Sequence, residues 1–542
     1  MIGFLKKGNS LISSSTDDKE VEMRRLILGD HLLAIIRKAD GANDSSDGKS
    51  VNLTALQTIG RIAYSKDATF LPQISEKTQN LFRNRLTSAF SHLLSDLDSY
   101  TYPCHLIQSI EASAVGMDEQ ISTARDSSIS IMEKLLKRIK KSKAKDNAPL
   151  QALALLYSLV IFQLYNGEAE AISILDELQI CYDKLIRKKD SEEDIEASEI
   201  LVELLLSFVS KPSVLLRKVT ELVFGAFIPE LTEGGLKLMT DVLESDESLR
   251  GQQALFDQEP EDAGDMDVDD EDELDSDVEV VDMEADEGLN NGHLAHSDDD
   301  SEEDDEDENE DMAENNEDDE EGKKLDDALA LALGTHKIDP DIESGSDSDA
   351  DMTDSEMMAL DSKLVEIFSQ RKKEPNKKKE QKDAKETMVN FKARILDLLE
   401  LYVKNQASSP VAFGLLLPLL QLIRTTKTKQ LGEKSQSIIQ VFARAFKSSK
   451  DVDDLSVSDQ IKLLKTLHVE GSRDPAHHFS KSVSTACLLV ASSIYKVDKT
   501  AFKKIANVYR DTQVAWVEGE VKMQAAFFTE WINWCQSHAG SA

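Results

Sequence analysis

Proline and glycine are scarce in this sequence, 11 and 23 in 542 residues. Clear alternation of apolar and polar residues is nearly absent. These shortages exclude a chain of short strands and tight turns, and the abundant Leu, Ile, Ala, Lys and Glu favour α-helix. Only four cysteines are present, Cys104, Cys181, Cys487 and Cys535. They lie far apart, with no C-x-x-C pair, so they read as reduced, buried thiols of a cytosolic or nuclear protein and exclude a disulfide framework. Long apolar runs are missing as well. The longest lies around Gly414–Ile423 and is interrupted by Pro418 and Gln421. A membrane span needs roughly 18 apolar residues, so none is expected. The N-terminal MIGFLKKGNS has no apolar core long enough for a signal peptide.

Positive charge is absent where negative charge is densest. Asp257–Glu321 holds 36 acidic residues and no Lys or Arg. The whole chain carries 103 Asp+Glu against 62 Lys+Arg, a formal charge of −41; without the segment it is 67 against 62, or −5. Nearly all the acidity therefore sits in 65 residues. With few side chains to bury and strong self-repulsion, the ordering entropy goes uncompensated, and the segment reads as a disordered, solvated polyanion.

On both sides the sequence reads as helices. Expected helices run over 20–40, 51–66, 75–99, 119–140, 150–164, 168–188, 194–209, 213–227 and 231–243 before the acidic segment. Those at 386–405, 409–424, 430–447, 456–470, 475–496, 499–510 and 514–536 follow it. In 75–99, Leu81, Phe82, Leu86, Phe90, Leu93, Leu94 and Leu97 recur at helical spacing. Asp40–Ser50 reads as a loop, and Pro72 and Pro103 as helix punctuation. Between the two series, LDDALALAL at Leu325–Leu333 reads as a short helix, either packed on the body or docking a partner. A further helix is expected from Asp354 to about Arg371. Two helices take roughly forty residues, the size of a HEAT or armadillo unit. The fold class expected is all-α, with HEAT/armadillo-like helical repeats in two parts separated by the acidic tract; a compact bundle is the alternative. The expected divisions are 1–250, a linker 251–353, and 354–540.

One stretch, Met352–Lys447, resembles a known family. An acidic tract leads into D-S-E-M-M-A-L-D at Asp354–Asp361, and a basic spacer follows. Then come N-F-K-x-R-I-L-D-L-L-E at Asn390–Glu400 and L-L-L-P-L-L-x-L-I-R at Leu415–Arg424. The earlier D-A-L-A-L-A-L-G-T-H at Asp327–His336 fits the same pattern. These features resemble the DNA polymerase phi / Myb-binding protein 1A family, most strongly over roughly 320–450. The resemblance implies a nucleolar, helical-repeat protein linked to ribosomal-RNA gene transcription and ribosome assembly. It implies transcription factors among the partners. Members of the family are usually longer, so it also implies an N-terminal portion that this chain lacks.

The family's name invites a polymerase reading, which the residues do not support. Two-metal nucleotide transfer needs carboxylates fixed about 4 Å from shared metals, and the dense carboxylates here lie in a segment that cannot hold them. No G-x-x-x-x-G-K-S/T phosphate loop and no G-x-S-x-G elbow is present. Neither a cofactor nor a metal site is expected. His477–His478 is the only adjacent histidine pair, and it reads as a partly exposed helix start.

The candidate binding residues are basic. Arg371–Lys385 carries 8 bases and 3 acids: Arg371, Lys372, Lys373, Lys377, Lys378, Lys379, Lys382 and Lys385 are the bases. It reads as a nuclear-import signal, a sequence-nonspecific contact to rDNA or rRNA backbones, or a solvated face. Lys134–Lys145 has the same alternatives. No aromatic residue interleaves either run, so base stacking is not expected. The acidic segment reads as a spacer or as a binder of basic nuclear proteins such as histones and ribosomal proteins. Ser276, Ser297, Ser301, Ser346, Ser348 and Thr353 each have an acid three residues on, the pattern read by acidophilic kinases. Function is therefore read as a non-enzymatic nuclear and nucleolar scaffold, with a DNA-binding transcription regulator as the alternative.

Overall fold

In the computed structural model the described residues are 18–38, 46–64, 73–110, 115, 117–142, 147–187, 196–256, 381–449 and 455–539. The acidic segment, the helices expected at 325–333 and 354–371, and most of the basic run lie outside them. The described residues form eighteen α-helices joined by short 3₁₀ and π turns, with no strand among them. The fold is all-α.

Before the acidic segment run α1 (Asp18–Lys38), α2 (Ser46–Tyr64), α3 (Glu76–Leu93), α4 (Thr101–Ser109), α5 (Glu119–Lys141), α6 (Ala148–Asn166), α7 (Ala171–Cys181), α8 (Ala197–Ser210), α9 (Val214–Phe227), α10 (Glu233–Glu244) and α11 (Leu249–Phe256). After it come α12 (381–405), α13 (Leu416–Thr425), α14 (Lys429–Ser448), α15 (Val457–Gly471), α16 (His477–Val497), α17 (Phe502–Val517) and α18 (Ala525–His538).

Local chemistry accounts for the ends. Ser75, Asp118, Ser213 and Ser456 each accept a backbone N–H from the first turn of α3, α5, α9 and α15, satisfying donors the helix leaves open. Arg138, Lys140 and Lys141 sit in the last turn of α5, where positive charge complements the helix dipole. Pro149 stands in the first turn of α6, and Gly167 stops it at φ 86°. There the Gly167 N–H bonds Leu164 O and the Glu168 N–H bonds Gln163 O.

Several boundaries differ from expectation. Ser46–Ser50, read as loop, is the first turn of α2, because small polar residues suit helix starts as well as loops. Pro103 lies inside the first turn of α4, an unexpected helix, where its missing N–H costs nothing. The stretch 514–536 is divided between α17 and α18, with Gly519 at φ 79° in the break. α11 was not expected.

Most helices pack on the next and the next but one: α1 on α3, α2 on α4, α4 on α6, α5 on α7, α8 on α10, α13 on α15, α14 on α16 and α16 on α18. α9 also packs back on α6 and α3, so contacts reach beyond adjacent pairs. The core helix of the first series is α6, apolar all round and packed against α4, α5, α7 and α9. By length and composition α6 is apolar enough to cross a membrane, with a mean hydropathy of 1.5, and it exceeds the Gly414–Ile423 run in this respect. Its continuous burial from Ala152 to Tyr165 makes it a protein core.

Residues 1–255 and 386–542 form one compact unit. The second unit, 256–385, contributes only Phe256 and 381–385 to the described residues. The helices on either side of the acidic segment thus fold together, and α10 packs on α13.

Candidate functional site

The joint between the two helical series is built by charged residues. On α12, Met388, Lys392, Leu396, Leu399 and Val403 share one face, and all are buried. Lys392 is only 2% exposed. Its Nζ donates to Ser245 O at 2.6 Å and lies 3.5 Å from Glu247 Oε1. Glu247 accepts from Thr426 Oγ1 at 2.7 Å and from Thr428 Oγ1 at 3.0 Å. Arg394 Nη1 donates to Val209 O at 2.7 Å and to Lys211 O at 3.0 Å. Two cations of α12 therefore hold carbonyls at the ends of α8 and α10, and Glu247 ties in the turn before α14. Burial pulls the Lys392 ammonium below the usual lysine range, and Glu247 partly restores it. Both cations belong to the N-F-K-x-R motif, and sequence reasoning missed their structural role. The available signal was a lysine standing inside an apolar stripe.

A second feature is a cleft in the first helical series. Two adjoining cavities of about 590 and 230 Å³ share Tyr64, Arg83 and Asn166 in their linings. Aromatic rings lie beneath them: Tyr64 stacks with Phe162 at 6.0 Å, and Phe90 meets Phe162 at 5.4 Å. The Arg83 guanidinium lies over the Tyr64 ring, 5.4 Å from its centre. Tyr64 donates its hydroxyl to Asn166 Oδ1 at 3.0 Å.

The candidate basic residues that the structure describes lie on α5 and α12. Lys382 and Lys385 lie on the first turns of α12 and are exposed. Arg371, Lys372, Lys373, Lys377, Lys378 and Lys379 lie outside the described residues, as do Ser276, Ser297, Ser301, Ser346, Ser348 and Thr353. On α5, Lys134, Lys137, Arg138, Lys140 and Lys141 are exposed; Lys137 pairs with Glu133 at 3.4 Å, and Arg138 Nη1 donates to Ile186 O at 3.3 Å. His477 and His478 are exposed at the start of α16. Among the described residues no group of three His, Cys, Asp or Glu could hold a metal ion. Cys104, Cys181 and Cys487 are buried free thiols, and Cys535 is half-buried. Burial pushes the thiols of Cys104 and Cys181 up to about 12, so they are poor nucleophiles.

The sequence pattern of the DNA polymerase phi family matches residues 3–403. The rDNA transcriptional regulator pol5 of Schizosaccharomyces pombe is 30% identical over 98% of this chain and 55% of its own length. The rDNA transcriptional regulator POL5 of Saccharomyces cerevisiae is 25% identical, covering 96% of this chain and 53% of its own. Myb-binding protein 1A of Homo sapiens is 31% identical over 58% of this chain and 23% of its own. The chain thus spans about half the length of the yeast relatives. No solved structure matches. The family pattern extends across most of the helical unit, beyond the 320–450 region where the motifs first pointed to it, and the chain belongs to the DNA polymerase phi family.

Proposed function

We propose that this chain is a non-catalytic nucleolar scaffold that regulates rRNA-gene transcription and ribosome assembly. The helical unit is its platform, and the acidic segment recruits basic proteins. One observation carries the reading. A segment with 36 acids and no base lies between two stretches of sequence that fold as one unit. Such a polyanion speeds the capture of polycations by long-range attraction. The yeast relatives are named as regulators of rDNA transcription, which supports the process, a nuclear location and a non-enzymatic role. The name of the human relative supports transcription factors as partners. Ribosomal proteins and histones fit the chemistry of the segment, and phosphorylation at Ser276, Ser297, Ser301, Ser346, Ser348 or Thr353 would add to its charge.

The test is a salt titration of binding to purified core histones, with the full chain and with 257–321 deleted. The expected result is binding to the full chain that falls steeply with salt, and about tenfold or greater weakening on deletion at low salt. Equal binding by the two forms at low salt refutes the role of the segment.

A second reading rests on the exposure of Lys382 and Lys385. The run Arg371–Lys385 would then serve nuclear import or contact rDNA or rRNA backbones without sequence preference. Replacing its lysines by glutamine should lower salt-sensitive DNA binding; unchanged binding removes this site. Primer extension by the pure protein with Mg²⁺ is expected to be nil.

A further inference from the structure

One side of α5 is a row of exposed cations. Lys134, Lys137, Arg138 and Lys141 stand at i, i+3, i+4 and i+7, so they share a face, and all four are exposed. Met132, Leu135 and Ile139, on the other side, are buried. Arg138 Nη1 donates to Ile186 O at 3.3 Å. That contact brings the π turn Tyr182–Ile186 alongside, and with it the segment that carries Lys184 and Arg187. Two acids occur in the stretches 127–141 and 182–187. Glu133 pairs with Lys137 at 3.4 Å, and Asp183 pairs with Arg187 at 3.0 Å. The cations outnumber them.

The dipole of α5 accounts for part of this charge. Its attraction for cations fades beyond the last turn, which holds Arg138, Lys140 and Lys141; Lys134 and Lys137 stand before it. The surroundings narrow the partner. None of the large apolar side chains exposed among the described residues lies on α5 or in 182–187. Protein interfaces depend on buried aromatic or apolar anchors, so this face lacks what a protein partner would need. A phosphate backbone needs only the cations. Lys134 to Lys141 spans about 10 Å at roughly 1.5 Å per residue. A duplex carries one charge per roughly 1.7 Å of its axis under condensed counterions, and cations laid along it release those ions.

We propose that the face of Lys134, Lys137, Arg138 and Lys141, with the adjoining Lys184 and Arg187, binds the phosphate backbone of a double-stranded nucleic acid. Phosphate contacts position a protein on a duplex and carry no sequence information, so the face anchors the helical unit without choosing a site. DNA and RNA duplexes share this chemistry. The face involves neither the acidic segment nor the run Arg371–Lys385, so it stands or falls apart from both readings above.

The test uses the full chain and fluorescein-labelled duplexes of about 20 base pairs and mixed sequence, one of DNA and one of RNA. Binding is read by anisotropy from about 50 to 200 mM salt. The triple variant Lys134→Gln, Lys137→Gln, Lys141→Gln leaves Arg138 and its carbonyl contact in place. It is expected to bind about tenfold more weakly at the lowest salt, and to flatten the log–log salt dependence by about 2–3. Loss on both duplexes assigns the backbone common to them, and loss on one assigns that form. Lys→Arg at the same three positions should bind as the unaltered protein does. Lys462→Gln, Lys465→Gln, Lys481→Gln removes three exposed charges on α15 and α16 and should leave the binding nearly unchanged. No duplex binding, an unchanged salt slope in the triple variant, or an equal loss in the α15 and α16 variant overturns the proposal. Displacement of the duplex by polyglutamate at equal charge concentration also overturns it, and assigns the face to an acidic protein instead.

Discussion

Replacing Lys392 by methionine tests the joint between the two helical series. Methionine keeps the apolar stem and removes the charge. Lys392 is 2% exposed and the Glu247 side chain 11%, so the substitution leaves a mostly buried carboxylate without its cation. Breaking a buried pair by removing one partner costs about 3–5 kcal/mol. Two features reduce this. Glu247 keeps two threonine hydroxyls, and the lysine contact is 3.5 Å, longer than a direct hydrogen bond. The Ser245 carbonyl does lose its donor, which restores part of the cost. The expected loss is about 2–4 kcal/mol. Glu247→Gln should cost a similar amount, since it leaves the lysine buried without its counter-charge. The double variant should cost less than the sum, because the two residues share one interaction. Urea unfolding of the full chain can be followed by far-ultraviolet circular dichroism and by tryptophan fluorescence. All three tryptophans, Trp516, Trp531 and Trp534, lie in the second series, whereas circular dichroism reports both series. If the joint makes one cooperative unit, the two transitions coincide and both shift to lower urea in Lys392→Met. Separate transitions in the unaltered protein, with the fluorescence one unmoved by Lys392→Met, refute the reasoning.

Two further outcomes follow from single residues. His468 is 3% exposed, with Nδ1 2.8 Å from Thr512 Oγ1, and burial holds its imidazole down at about 3 instead of 6.5. The unfolded chain takes up that proton near pH 6.5 and the folded chain does not, so the unfolded state binds more protons and stability falls as pH drops below that value. The loss between pH 7 and 5 should be about 2 kcal/mol. His468→Phe, which still fits against Tyr509 and Phe527, should remove this part of the pH dependence. Equal pH slopes of the urea midpoint in both proteins would contradict it. Gly167 stops α6 at φ 86°, and a Cβ added there would meet nothing within 4 Å. Gly167→Ala therefore meets only the backbone cost of the left-handed conformation. That should be about 1 kcal/mol, read from the urea midpoint; a loss several times larger would mean a steric cost.

Much of the helical order was legible in the sequence, because local periodicity and local caps decide it. Of the residues that recur at helical spacing in 75–99, Phe82, Leu86, Phe90 and Leu93 are buried in α3. The boundary errors had local causes too. A proline in a first turn resembles a proline that ends a helix, and Gly519 at φ 79° resembles any tolerated helical glycine. The cleft was not legible, since Tyr64, Arg83 and Gln163 come from three helices and two of them look like ordinary surface residues.

The helical character of the chain and the concentration of its net negative charge in 65 residues are written in the order of the amino acids alone. Both follow from properties of near neighbours: propensity, spacing and like-charge repulsion. The union of 1–255 with 386–542 in one unit came from the packed structure. That union rests on contacts such as Lys392 with Ser245, 147 residues apart. No periodicity encodes such a pairing: the apolar stripe of α12 marks Lys392 as inward-facing but does not name the partner it finds. That partner is settled when the distant segments pack.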